Sequence, residues 1–349
     1  MGGSHMRIVL PIHQPMPTRA LMKIHKKTMT ACLMLSAIAA AAGAEEASPL
    51  TPAATIEIPN STGKFDFLRI DGKRHRLLAA HENDGTADFF DLNTNSLIAR
   101  LKLGGAVDTA VDPDSQRYYV SVQEDKRVAV VDAGTLKEVA SIKTPGPTDA
   151  ILYVPKSHMI YVTHDNGAHV WVIDPAKASV VATIVIPGAP EYMVYDETAD
   201  RIYLNIKSKN VVAVIDPSTN KVIAEWPTAP ATLPHGLAFD AVTHQLFSAG
   251  GSGKLVAIDT KTGAVTGSVD IAQRVDQIAF DAAGARLYCA GADKMSVIST
   301  AGGKLKPLGD TNTAATAKNV AVDAATHAVW TTYTDGKSSY AKSWTAAKP

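Results

Sequence analysis

The chain has 349 residues, with 34 Lys/Arg balanced by 34 Asp/Glu, 46% hydrophobic residues and two cysteines. Five of the basic residues and none of the acidic ones lie in residues 1–44, so the remainder is acidic by five charges. That balance lacks the basic footprint of non-specific nucleic-acid binding, and the cysteine count excludes a disulfide framework.

Met1-Gly2-Gly3-Ser4-His5-Met6 reads as a tag remnant. A second start fits at Met22. Lys23, Lys26 and Lys27 form a positive segment, Thr30 to Ala42 is apolar, and Ala42-Gly43-Ala44 is a small-residue cleavage site. This pattern predicts a secretory signal peptide at 22–44, cleaved after Ala44, and a periplasmic or secreted product. The apolar run is short for a membrane span, so no transmembrane segment is expected after cleavage. Cys32 goes with the leader and Cys289, in Leu287-Tyr288-Cys289-Ala290, is expected to be a buried small hydrophobe.

From Glu45 onward one unit recurs. Its copies start at Ile70-Asp71, Val111-Asp112, Tyr153-Val154, Tyr195-Asp196, Phe239-Asp240, Phe280-Asp281 and Val322-Asp323, at intervals of 41, 42, 42, 44, 41 and 42 residues. Short strands at such a period predict an all-β fold, a seven-bladed β-propeller of four-stranded antiparallel blades filling 45–349 as one domain. In the third blade the strands are expected at Ala150–Val154, Met159–Thr163, Val170–Asp174 and Val180–Ile186. The third strand ends on Asp91, Asp132, Asp174, Asp216 and Asp259, with Ser299 in the sixth blade. An Asp there suits a turn whose side chain binds local N–H groups. After Trp330 only one more strand, around Ser339–Trp344, remains. Ala54-Thr55-Ile56-Glu57-Ile58-Pro59 matches the outer-strand pattern, so the N-terminal strand is predicted to complete the last blade.

Asp66, Asp108, Asp149, Glu191, His235, Asp276 and Asn319 stand just before the inner-strand copies, in loops expected to crowd the channel mouth. Crowded carboxylates raise each other's pKa or hold a cation. Asp66, Asp149, Glu191, His235 and Asp276 are the candidate ligands for a divalent metal ion of unspecified identity. His81, His164 and Asn205 are added as further ligand-binding residues from loops on the same face. The same aspartates also suit capping of their own loops. His75, His158, His244 and His327 recur in turns of the opposite face and read as turn residues. Gly250-Gly251-Ser252-Gly253-Lys254 lacks the spacing of a phosphate loop, and no nucleophile elbow is present.

Phe65-Asp66-Phe67, Thr148-Asp149-Ala150, Pro190-Glu191-Tyr192, Pro234-His235-Gly236-Leu237-Ala238 and Val275-Asp276-Gln277 resemble the repeats of YncE-like, YVTN-type seven-bladed propellers of bacterial envelopes. The resemblance spans the chain after the leader and implies the fold rather than an activity. The expected function is binding of a metal ion or small polar ligand at the channel mouth. The alternatives are a metal-dependent hydrolase or lyase at that site, with no catalytic residue assigned, and a scaffold for an envelope protein. A monomer is expected, and nucleic acid is not an expected partner.

Overall fold

The computed structural model describes residues 48–346. The leader and its cleavage site lie outside them. Seven four-stranded antiparallel sheets form the blades of an all-β propeller. The third blade runs Thr148–Val154, Met159–His164, His169–Asp174 and Ser179–Val185 from the inside out. The seventh is assembled from both ends of the chain. Leu50–Ile58 pairs outside Ser339–Ala346, followed inward by Val329–Thr334 and Ala321–Val322. The strand predicted from Ala54–Pro59 is this outer strand.

Both faces of a blade are covered by neighbouring blades, so the middle strands read as continuous apolar runs rather than alternating ones. In Met159–His164, Ile160 and Val162 pack towards the second blade, while Tyr161 packs with Ile202 and Leu204 of the fourth. Pleat geometry sends alternate side chains to opposite faces. Cys289 is fully buried in the equivalent strand of the sixth blade, and burial pushes its thiol pKa up.

The turn aspartates act as expected. Oδ1 of Asp91 accepts N–H bonds from Asn93 and Thr94 at 2.8 and 3.0 Å, and Asp259 does the same for Lys261 and Thr262 at 2.8 and 3.0 Å. Backbone N–H donation holds both carboxyls below their ordinary pKa. His75, His158, His244 and His327 occupy left-handed turn positions at φ between 49 and 60°. Gln116, Asp200 and Ala285 take the same conformation in the other blades, so these histidines follow the turn and form no ring of their own. Gly250–Lys254 is a β-hairpin turn.

Each outer strand of blades one to six carries one extra residue. Ile98, Val139, Val181, Ile223, Thr266 and Leu308 fall where the pairing slips. Such bulges twist an edge away from pairing with another sheet.

Candidate functional site: a closed cup at the channel mouth

The inner strands also carry a bulge, and it builds the site. In the third blade Thr148 pairs with His164 and Ile151 with Val162, so Asp149 and Ala150 together oppose Thr163. The fourth blade does the same with Glu191 and Tyr192, the fifth with His235 and Gly236. A bulge re-aims the side chain it carries. The first bulge residue, Asp149, Glu191 or His235, lines a cavity of about 350 Å³ at the mouth. The strands begin two residues earlier than Ala150 would suggest, so these residues belong to the strands and not to the loops before them.

Asp66 and Asp276 enter the same cavity from just ahead of Leu68–Asp71 and Gln277–Asp281. Asp108 and Asn319 do not join the ring on equal terms, because each stands one residue later relative to its repeat copy. Val107 and Lys318 occupy the ring position in their blades. Asp108 instead lies beneath the cup. It takes Arg69 Nε and Nη2 at 3.2 and 3.0 Å, and the N–H groups of Thr109 and Ile151 at 2.7 and 3.1 Å. Burial leaves its carboxyl above the ordinary pKa in spite of Arg69 and those two donors. Asn319 touches the cavity wall, but its Oδ1 is committed to the N–H and hydroxyl of Thr332 at 3.0 and 2.8 Å.

The residues one step after the ring close the channel. Gln277 exchanges both amide atoms with the Leu68 backbone at 2.9 and 3.1 Å, and its Oε1 accepts from Val320 N–H at 3.2 Å. One side chain thus ties blades six, one and seven. Phe67 and Tyr192 meet at 5.0 Å between ring centres, and the Arg69 guanidinium lies 4.5 Å over the Tyr192 ring. The cup is floored by these groups. Gly236 is required at its step, since a Cβ there would stand 2.9 Å from the Ile278 backbone nitrogen. Gly236→Ala is expected to lower stability by about 1–3 kcal/mol in urea unfolding, the usual cost of overpacking.

On one wall, single ligand atoms of Glu191, His235 and Asp276 lie within 4.8 Å of one another. His235 Nδ1 is 3.4 Å from Glu191 Oε2 and 3.3 Å from Asp276 Oδ1. Burial works against the imidazolium, but contact with Asp276 and Glu191 outweighs it and lifts the His235 pKa to about 9. Burial also works against the Asp276 carboxylate, yet His235 holds its pKa below the ordinary value. Lys207 Nζ pairs with the other oxygen of Glu191. Burial, joined by the Asp149 carboxylate at Asp66 and by Glu191 at Asp149, drives the Asp66 and Asp149 pKa values well up.

Of the eight predicted ligand residues, the structure brings Asp66, Asp149, Glu191, His235 and Asp276 to the cavity and leaves three outside it. His81 is fully buried beside the cup. Its Nδ1 meets Asp88 at 2.8 Å, its Nε2 meets the Gly63 carbonyl at 3.0 Å, and its ring stacks on Phe65 at 3.7 Å. Both nitrogens are occupied. The His164 ring packs against Trp171 at 4.9 Å and fills the space over Gly146 and Gly167. Asn205 donates to the carbonyls of His235 and Gly236 at 2.8 and 3.0 Å and accepts from Ser248 at 2.8 Å. It holds the backbone of the His235 bulge and does not line the cup.

Three cations also line the cup, Lys64, Lys207 and Lys318, and Lys318 is the residue in phase with the ring in the seventh repeat. Residues 103–336 match the family described as Domain of unknown function (DUF5074), which spans more than half of the chain. The chain belongs to this family. No curated protein matches it. Among solved structures, a chain of hydrazine synthase from Kuenenia stuttgartiensis superposes with a TM-score of 0.71 at 13% identity, covering 81% of this chain and 96% of that one. A chain of a mitotic checkpoint complex gives a TM-score of 0.74 at 13% identity, covering 92% and 99%. At that identity the likeness shows the fold of this DUF5074 chain and nothing of its activity. Among the described residues no helix is long and apolar enough to cross a membrane.

Proposed function

We propose that this chain is an exported, YncE-like propeller of the bacterial envelope that holds a divalent metal ion at Glu191, His235 and Asp276 and presents it to a small polar ligand in the cup. The observation that carries the metal reading is the approach of three ligand atoms from three consecutive blades to within 4.8 Å. Two carboxylates and one imidazole suit Mn, Fe or Zn, and the floored cup leaves room for a ligand at the remaining positions. Asn205 supports the arrangement by holding the backbone of His235. The Lys23–Ala44 leader pattern and the repeat motifs support export and the narrower family.

The test is elemental analysis of the protein purified without chelator, beside the Glu191→Gln/Asp276→Asn variant. About one equivalent of metal is expected in the wild type and none in the variant. A wild type that stays metal-free after incubation with Mn²⁺ and Zn²⁺ overturns the reading.

A further inference from the structure

Next to the metal triad, in the blade before Glu191, the cup holds a carboxyl group with no protein donor. Asp149 is only 8% exposed and lines the cavity. Among the described residues its carboxylate accepts no hydrogen bond and joins no ion pair. The other carboxylates of the cavity mostly have partners. Glu82 pairs with Lys64 at 3.0 Å, Asp165 accepts from Asn166 at 2.7 Å, Glu191 pairs with Lys207 and His235, and Asp276 with His235. Asp66 alone shares the condition of Asp149, and the two lie close enough for the charge of Asp149 to act on Asp66.

A buried carboxylate without a donor is costly, and native structures leave few such groups. We propose that Asp149, with Asp66, is the binding site for the ammonium group of a small organic amine. A second divalent ion fits less well, because the set of closely approaching ligand atoms is confined to Glu191, His235 and Asp276. An ammonium carries one charge and three N–H donors, which suits two acceptor carboxylates. Phe65 and Phe67 border the cavity from the first blade, and aromatic rings favour an organic cation over a hydrated one. A cavity of about 350 Å³ holds several heavy atoms beyond the ammonium. This site shares the cup with the proposed metal site and does not depend on it.

The experiment is calorimetric titration and thermal melting with ethanolammonium chloride in the presence of EDTA. Controls are sodium chloride and tetramethylammonium chloride at equal ionic strength, the latter having no N–H donor. Ethanolammonium is expected to bind saturably and to raise the melting temperature, and both controls to leave it unchanged. Asp149→Asn should weaken binding by roughly tenfold or more, the worth of one charge-assisted hydrogen bond. Glu191→Gln/Asp276→Asn, which removes the metal ligands, should still bind the amine. The amine-free Asp149→Asn protein should melt at or above the wild type, since it loses a carboxyl group that no protein donor satisfies. No saturable binding, equal affinity in Asp149→Asn, or a lower melting temperature for that variant without amine would each overturn the proposal. Failure of the amine with metal still bound sinks this inference alone, and loss of metal with amine binding intact sinks only the metal reading.

Discussion

Asp108→Ala should destabilise the propeller by about 3–5 kcal/mol, the cost of leaving one partner of a buried ion pair behind. Asp108 is fully buried and the Arg69 side chain is 22% exposed. Removing the carboxylate strands the guanidinium across the channel axis and frees two buried N–H groups, those of Thr109 and Ile151. Arg69 would keep its place over Tyr192 and a long bond of 3.4 Å to the Ile151 carbonyl, which replace little of what is lost. Replacing both partners, as in Arg69→Met/Asp108→Leu, should recover much of the loss, because two apolar groups need no desolvated charge to be matched. Urea unfolding of the three proteins measures this. A loss below about 1 kcal/mol in Asp108→Ala would mean that water reaches the pair and that the floor of the cup is not dry.

Metal affinity at Glu191, His235 and Asp276 should rise about tenfold per pH unit between pH 7 and 9 and level off above it. The imidazole must lose its proton before Nδ1 can act as a ligand, and its pKa stands at about 9. At pH 7 only about one molecule in a hundred has the neutral ring, so binding there should release close to one proton. The metal-free protein should show the opposite trend. A histidine whose pKa rises from 6.5 to about 9 on folding contributes stability that is fully present below pH 6.5 and lost as pH climbs through 9. The shift sets a ceiling of roughly 3 kcal/mol on that contribution. Melting curves from pH 6 to 10, with and without Mn²⁺, should therefore diverge as pH rises. In Glu191→Gln/Asp276→Asn both trends should vanish, since burial alone lowers the pKa of the ring. A pH-independent affinity in the wild type would remove His235 from the ligand set.

The two outcomes at the ring show what a repeat pattern can and cannot reveal. Asp66, Asp149, Glu191, His235 and Asp276 were legible because each stands four residues before its repeat copy, and in blades three to five a bulge that only the structure shows carries that position at the mouth. Asp108 carries the same chemistry one residue out of phase, and one residue in a strand exchanges the two faces. Its partner Arg69 belongs to a neighbouring blade, so no local pattern announces the pair. His81 and His164 were assigned to the mouth from their position after the second strand. Asp88 and Phe65 claim the first, and Trp171 claims the second. These contacts are made between strands or blades, and spacing along the chain does not express them.

By itself the sequence determined the seven blades, the closing of the last blade by an N-terminal strand around Ala54–Pro59, the turn aspartates and a ring of polar positions of which Asp66, Asp149, Glu191, His235 and Asp276 line the cup. Each of those is set by a local pattern repeated every 41–44 residues, or by an outer-strand pattern left without a blade of its own. The tertiary structure alone decided that Gln277, Phe67, Tyr192 and Arg69 floor the channel, that Lys207 and His235 share Glu191, and that Asp149 is left without a partner. Those outcomes depend on how side chains from different blades divide one buried space, where every charge must find its counterpart across the ring or go without.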